Sequence, residues 1–198
     1  MARLRIEPAS SPAAMHDFLR VPWEVYRGDP AWVPPLLMER KEALSEKHPV
    51  FAHLRWQGWV AYLDERPVGR ITAQIDQLHQ ERYGDRTGFF GNLEMSDDQE
   101  VTASLFDQAE SWLRDHGMQQ VSGPFSMNIN QETGILVEGF EAPPFIMMGH
   151  ARPYYGAAIE RCDYRPLKDV LAYEIDARIE ATPVMVALQQ RLQGRVLL

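Results

Sequence analysis

The stretch GFFGNLEMSDDQEVTASLFDQAESWLRDHG, residues 88–117, decides how the rest of the chain is read. Its opening, Gly88 to Met95, has the length and composition of a strand, and strict alternation puts Phe90, Asn92 and Glu94 on one face. Ser96-x-x-Gln99 and Asp97-x-x-Glu100 both fit a capping box. Val101, Leu105, Ala109, Trp112 and Leu113 then recur at helical spacing, and Gly117 is placed to end the helix in a left-handed cap. A second strand, Gln120 to Asn130, follows, with Ser126, Asn128 and Asn130 alternating on one face.

Working towards the N-terminus, residues 54–63 and 66–76 alternate with period two across a short turn at Asp64 to Pro67, the signature of a half-buried hairpin. In its second arm Ile71, Ala73 and Ile75 share one face, and Arg70, Thr72, Gln74 and Asp76 the other. A polar connector from His79 to Thr87 joins this hairpin to the strand at Gly88. Leu4 to Ile6 form a short first strand. Ser11-Pro12 opens a helix, with serine as N-cap and proline at the first helical position, and Pro22 limits it. A second helix is predicted from Leu36 to Leu44. Towards the C-terminus, Glu132 to Pro153 is long, irregular and broken by Gly and Pro, which inside a domain marks a functional or mobile segment. A short helix is expected over Tyr154 to Arg161, a last strand over Asp169 to Ile175 and a last helix over Val184 to Leu192. The order predicts an α/β (α+β) domain with a mixed, mainly antiparallel twisted sheet flanked by helices.

The chain has 198 residues, 45% hydrophobic and 24% charged, enough for a sizeable core. Its formal net charge of −8 disfavours nucleic acid as a partner, since phosphate backbones need a basic surface. No apolar run approaches the length of a transmembrane segment and no signal peptide is visible. A single cysteine, Cys162, fits a reducing, cytoplasmic setting.

From Arg66 to Ile175 the chain resembles the GNAT acyltransferase superfamily. Pro67-Val-Gly-Arg-Ile, Gly88 to Met95 as the superfamily's fourth strand, the helix ending Trp112-Leu-Arg-Asp-His-Gly, and Cys162-Asp-Tyr-Arg carry that resemblance. The phrases DPAWVPPL (29–36), GPFSMNINQETGILVEGFEAPPFIMM (123–148) and PYY (153–155) are similar to bacterial double-GNAT-like proteins related to bacterial ceramide synthases. The resemblance implies N-acyltransferase chemistry and strands 88–95 and 120–127 adjacent but splayed at one end. It also implies a GNAT-like domain over 1–176 and a helical extension over 177–198, leading to a missing second half or serving a homo-oligomer contact. Its partners would be an acyl thioester donor (acyl-CoA, acetyl-CoA or an acyl carrier protein) and an amine acceptor such as a long-chain base.

The superfamily's pyrophosphate loop, Q/R-x-x-G-x-G/A, falls on Gln99, Thr102 and Ser104, where threonine and serine replace glycine. The acids beside it suit a helix N-terminus and repel phosphate. It reads either as a degenerate cofactor loop or as an ordinary capped helix, so weak acetyl-CoA binding is expected. Glu94, with Asn92 beside it, is either a general base of raised pKa or part of a solvated outer face. Ser126, Asn128 and Asn130 either orient a substrate or serve turn chemistry. Tyr154 and Tyr155 either hold a headgroup and protonate a leaving thiolate, or simply pack. Glu94, Asn128 and Asn130 are expected in one cleft, walled by the apolar loop Gly134 to Met148. That loop suits an acyl chain or plugs the domain's own core. Histidines and the lone cysteine show no metal-ligand spacing, and no nucleophile elbow, P-loop or dinucleotide fingerprint is present.

Overall fold

The computed structural model describes residues 3–173, 175, 176, 178 and 180–192. Five strands form one sheet in chain order: β1 (Leu4–Pro8), β2 (Leu54–Leu63), β3 (Arg66–Asp76), β4 (Thr87–Met95) and β5 (Gln120–Ser122). Neighbours are antiparallel through β4, and β5 runs parallel to β4. The β2–β3 turn places Asp64 and Glu65 at φ 48° and 65°, the pair of left-handed residues that matches a tight hairpin to the strand twist.

The helices are α1 (Pro12–Val25), α2 (Leu37–Ala43), α3 (Gln77–Tyr83), α4 (Gln99–Asp115), α5 (Tyr155–Glu160) and α6 (Pro183–Leu192). The crossover helix α4 buries Val101, Leu105, Phe106, Ala109 and Leu113 against Ile71, Ala73, Phe90 and Met95 of the sheet. Each of the larger side chains, from Val to Phe, contributes about 1.5–3 kcal/mol of burial. Gly117 takes φ +83°, as its sequence position predicts. The N-cap is Asp98, whose carboxylate accepts from the Glu100 N–H at 2.9 Å, so neither expected capping box sets the start of the helix.

Across the sheet, α1 starts with the Ser11 hydroxyl accepting from the Ala14 N–H at 3.1 Å. It packs Phe18 and Val21 on Val60 and Tyr62. Pro22 does not limit it. The helix continues to Val25 with the proline inside, because the carbonyl that Pro22 leaves without an N–H, that of Phe18, is taken by Arg70 at 3.1 Å.

Three further expectations are corrected. The connector after β3 contains α3, capped by Asp76 and closed by a left-handed Gly84. The strand predicted to reach Asn130 ends at Ser122, since Pro124 has no N–H to extend a ladder. Beyond it the chain leaves β4, although the Phe125 N–H still donates to the Phe90 carbonyl at 2.8 Å. The two strands are thus adjacent and part company at one end. The described residues of Asp169 to Ile175 lie in no strand.

The chain divides into two units, one up to Tyr164 and one from Arg165 onward. The second holds α6, with Val184, Met185, Leu188 and Leu192 exposed. Of the helical extension expected over 177–198, residues 177, 179 and 193–198 lie outside the described residues. No described helix is long and apolar enough to cross a membrane.

Candidate active site

The site begins with one extra residue in β4. Thr72 pairs with Gly91 and Arg70 with Glu94, so β4 spends three steps where β3 spends two. Asn92 absorbs the difference at φ 44°, which makes a β-bulge. The bulge overturns the reading of Phe90, Asn92 and Glu94 as one face. Phe90 packs under α4, whereas Glu94 lies opposite Arg70 on the α1 side, and the Asn92 amide reaches towards the Thr72 hydroxyl at 3.5 Å. Gly91 is required there. A Cβ on it would stand 1.7 Å from the Phe125 carbonyl oxygen, the atom that accepts from the Gln74 side chain at 2.7 Å.

Nor is this face solvated. Thr72 and Gln74 are fully buried and Arg70 is buried, so the polar face of the hairpin forms a second, polar interior beneath α1. Arg70 stands 3.5 Å from Glu94 Oε1, donates to the Phe18 carbonyl and lies over the Phe18 ring at 5.0 Å. The Tyr155 hydroxyl donates to Glu94 Oε2 at 2.8 Å and accepts from the Met95 N–H at 3.1 Å. Tyr154 donates to the Met95 carbonyl at 2.6 Å, so the two tyrosines hold both ends of one residue.

Burial pushes the Glu94 carboxyl above its ordinary value, and neither the Arg70 charge nor the tyrosine hydrogen bonds bring it back. Burial and the Glu94 charge hold the Tyr155 phenol well above 10. Tyr155 is therefore held protonated, as a donor to Glu94.

Around this network opens a cleft that also takes in Tyr26, Asn92, Ser126, Glu132, Arg40 and His150. Arg40 of α2 pairs with Glu132 across it. The Tyr26 hydroxyl donates to the His150 carbonyl at 2.8 Å. His150 Nε2 meets Asp29 Oδ2 at 3.0 Å, and Arg152 also contacts Asp29, at 3.1 Å.

Of the expected residues, Glu94, Asn92, Ser126 and Tyr155 come together at this cleft. Asn128 and Asn130 do not line it: the Asn128 side chain accepts from the Asn130 N–H at 2.8 Å in a turn, because no strand carries the period-two pattern past Ser122. Gln99 reaches α5 and Cys162, with 3.4 Å to the Ala158 carbonyl and to Cys162 Sγ. Thr102 is buried, its hydroxyl 3.1 Å from the Asp98 carbonyl, and Ser104 is half-buried on the same helix. The apolar loop divides. Ile135 and Leu136 pack on the core, while Phe145, Ile146 and Met147 are exposed.

Sequence reasoning missed Arg70, Tyr26, Asp29 and His150. Arg70 carried no distinguishing signal, since it alternates with Thr72, Gln74 and Asp76 on what reads as the hairpin's polar face. The others come from distant segments and carried none.

This sheet, with its bulged fourth strand and its strand–helix–strand crossover, is the GNAT fold. The chain superposes on a tandem GNAT protein from the clavulanic acid biosynthesis pathway with a TM-score of 0.54 and 15% identity, over 81% of this chain and 43% of that one. It superposes on the aminoglycoside antibiotic 6'-N-acetyltransferase AAC(6')-IG of Acinetobacter haemolyticus with a TM-score of 0.52 and 14% identity, over 87% and 98%. No family model matches the sequence. Two curated proteins are far more similar in sequence. Protein YghO of Escherichia coli (strain K12) is 47% identical over 180 residues, 90% of this chain and 46% of its own length. The bacterial ceramide synthase of Caulobacter vibrioides (strain NA1000 / CB15N) is 42% identical over 177 residues, 88% of this chain and 46% of its own. The chain thus spans about half the length of the curated relatives it matches.

Proposed function

We propose that the chain is the acceptor-binding and proton-accepting part of an N-acyltransferase that moves an acyl group from an acyl thioester to an amine, with a long-chain base as acceptor. The observation that carries this reading is Glu94: a carboxyl of raised pKa, placed on a bulge, held by Tyr155 and Arg70 and opening on a cleft. An amine arrives as its ammonium ion and attacks only after losing a proton. A carboxylate whose pKa is raised by burial is suited to take it. Asn92 and Ser126 offer polar groups at the same cleft for positioning. The exposed apolar loop at Phe145 to Met147 suits an alkyl chain lying beside it. The likeness to the ceramide synthase supports the choice of a long-chain acceptor, with acyl-CoA or an acyl carrier protein as donor.

A second reading has its own observation. The start of α4, where GNAT enzymes seat the coenzyme A pyrophosphate, is filled by the Asp98 carboxylate with Glu100 beside it. On that reading this half is non-catalytic and shapes the acyl site of a second half. The test is amide formation from acyl-CoA and a long-chain base, by the chain alone and joined to the remaining length of a relative. Glu94→Gln should lower turnover by about 100-fold or more, the usual weight of a general base. Unchanged turnover in the joined protein would give the chemistry to the other half.

A further inference from the structure

The candidate cleft has an apolar mouth. Val33 and Pro35 line it from the connector before α2, and Pro144 and Met148 line it from the loop before His150. Both segments carry apolar surface on past the mouth, with Leu36 and Met38 on the first and Phe145, Ile146 and Met147 on the second, all exposed. Single exposed apolar residues are ordinary, but a group of large ones around a cleft marks an interaction site.

The tip of the loop is unusual in its chemistry. Phe145 to Met148 close a turn, the Met148 N–H donating to the Phe145 carbonyl at 3.0 Å. Turn tips favour Gly, Asn, Asp and Ser. Here the central residues are Ile146, 92% exposed, and Met147, held at φ 64°. Two large apolar side chains at a protruding turn, one of them in a left-handed conformation, have no role in the core.

The charges around the patch indicate what it meets. The loop has no basic residue from Thr133 to Gly149, and its Glu138 and Glu141 are exposed. On α2 the exposed Glu39 and Glu42 outnumber Lys41, while Arg40 is paired with Glu132. The rim is therefore acidic, in a chain of net charge −8. An anionic lipid surface would repel it, and one holding long-chain ammonium ions would attract it.

We propose that this mouth docks on a lipid surface, with Phe145, Ile146 and Met147 inserted among the acyl chains and the acidic rim at headgroup level, and takes a cationic long-chain amine from that surface into the cleft. The identity of the amine rests on the long-chain acceptor reading. A protein covering both segments would close the way into the cleft, whereas a lipid layer covers the same side chains and is itself the source of the acceptor. The ammonium group passes the acidic rim towards Glu94, and the alkyl chain stays in apolar contact throughout.

The test is flotation of the full chain with phosphatidylcholine vesicles, either plain, doped with dodecylamine or doped with phosphatidylglycerol. The chain should float with plain vesicles, more with dodecylamine and less with phosphatidylglycerol. Ile146→Asp and Phe145→Asp should each lower partitioning about tenfold or more, the weight of one inserted apolar side chain. Leu188→Asp, on the exposed apolar face of α6, should leave it unchanged. No flotation, strongest flotation with phosphatidylglycerol, or an equal loss in Leu188→Asp overturns the inference. So does loss of flotation when the chain is joined to the remaining length of a relative, which would give the patch to the second half. A dimer by light scattering that Ile146→Asp dissociates would give it to a second copy and also overturns it. Flotation without amide formation would remove the acylation reading and leave the docking; amide formation from detergent-dispersed amine without flotation would do the reverse.

Discussion

The carbonyl of Phe18 accepts from the Arg70 guanidinium at 3.1 Å because Pro22, one turn further along α1, has no N–H to claim it. A residue that weakens a helix on its own thereby supplies a buried cation with a backbone acceptor on one side, while Glu94 serves it on the other.

Replacing that cation should be costly. Arg70→Met leaves the Glu94 carboxylate buried without its counter-charge, a change worth about 3–5 kcal/mol. Urea denaturation should show that loss in the single variant, and Arg70→Met with Glu94→Gln should recover much of it. A double variant as unstable as the single one would mean that packing of the Arg70 stem, and not its charge, is what matters.

Stability should also depend on pH through Glu94. Its folded pKa lies above the ordinary value of 4.5, so between the two the folded chain holds more protons than the unfolded one and stability falls as pH rises. The contribution is fully present below about 4.5 and is lost as pH climbs through the folded value. Thermal melts across that window should slope downward with pH for the wild type and less steeply for Glu94→Gln. Parallel slopes would show that Glu94 titrates normally.

Acetyl-CoA should bind the isolated chain weakly or not at all. The Asp98 carboxylate already accepts one of the first N–H groups of α4, and Thr102 is buried with its hydroxyl turned back to the helix. Calorimetry giving micromolar affinity, about −8 kcal/mol, would contradict this.

Gly91→Ala should disrupt the site at its base. The added carbon would fall 1.7 Å from the Phe125 carbonyl oxygen, and a backbone neighbour cannot give way as a side chain can. A loss of about 3 kcal/mol or more is expected, read as a lower melting temperature. A melting temperature unchanged from the wild type would mean that the Phe125 segment is free to move.

Much of the frame was legible because it rests on local patterns. The stripe from Val101 to Leu113 and the alternation through Ile71, Ala73 and Ile75 each report a buried face directly. Glu94 was found as a carboxylate in an apolar strand, but its orientation was not, since alternation assumes an unbroken pleat and Asn92 breaks it. Asn128 and Asn130 were misplaced for a related reason: a periodic pattern says nothing of whether a neighbouring ladder exists to hold it. Asp29 and His150 meet across 121 residues, and no spacing rule connects positions so far apart.

The hydroxyl of Tyr26 and the carbonyl of His150 are 124 residues apart in the chain, and Glu94 waits 61 residues for Tyr155. During synthesis β3 and β4 can pair Arg70 with Glu94 long before Tyr155 of α5 has left the ribosome. Closing loops of that length is slow compared with forming a hairpin. The scaffold therefore matures before the chemistry, and a nascent chain lacking α5 would carry its charged pair without the hydroxyl that locks it.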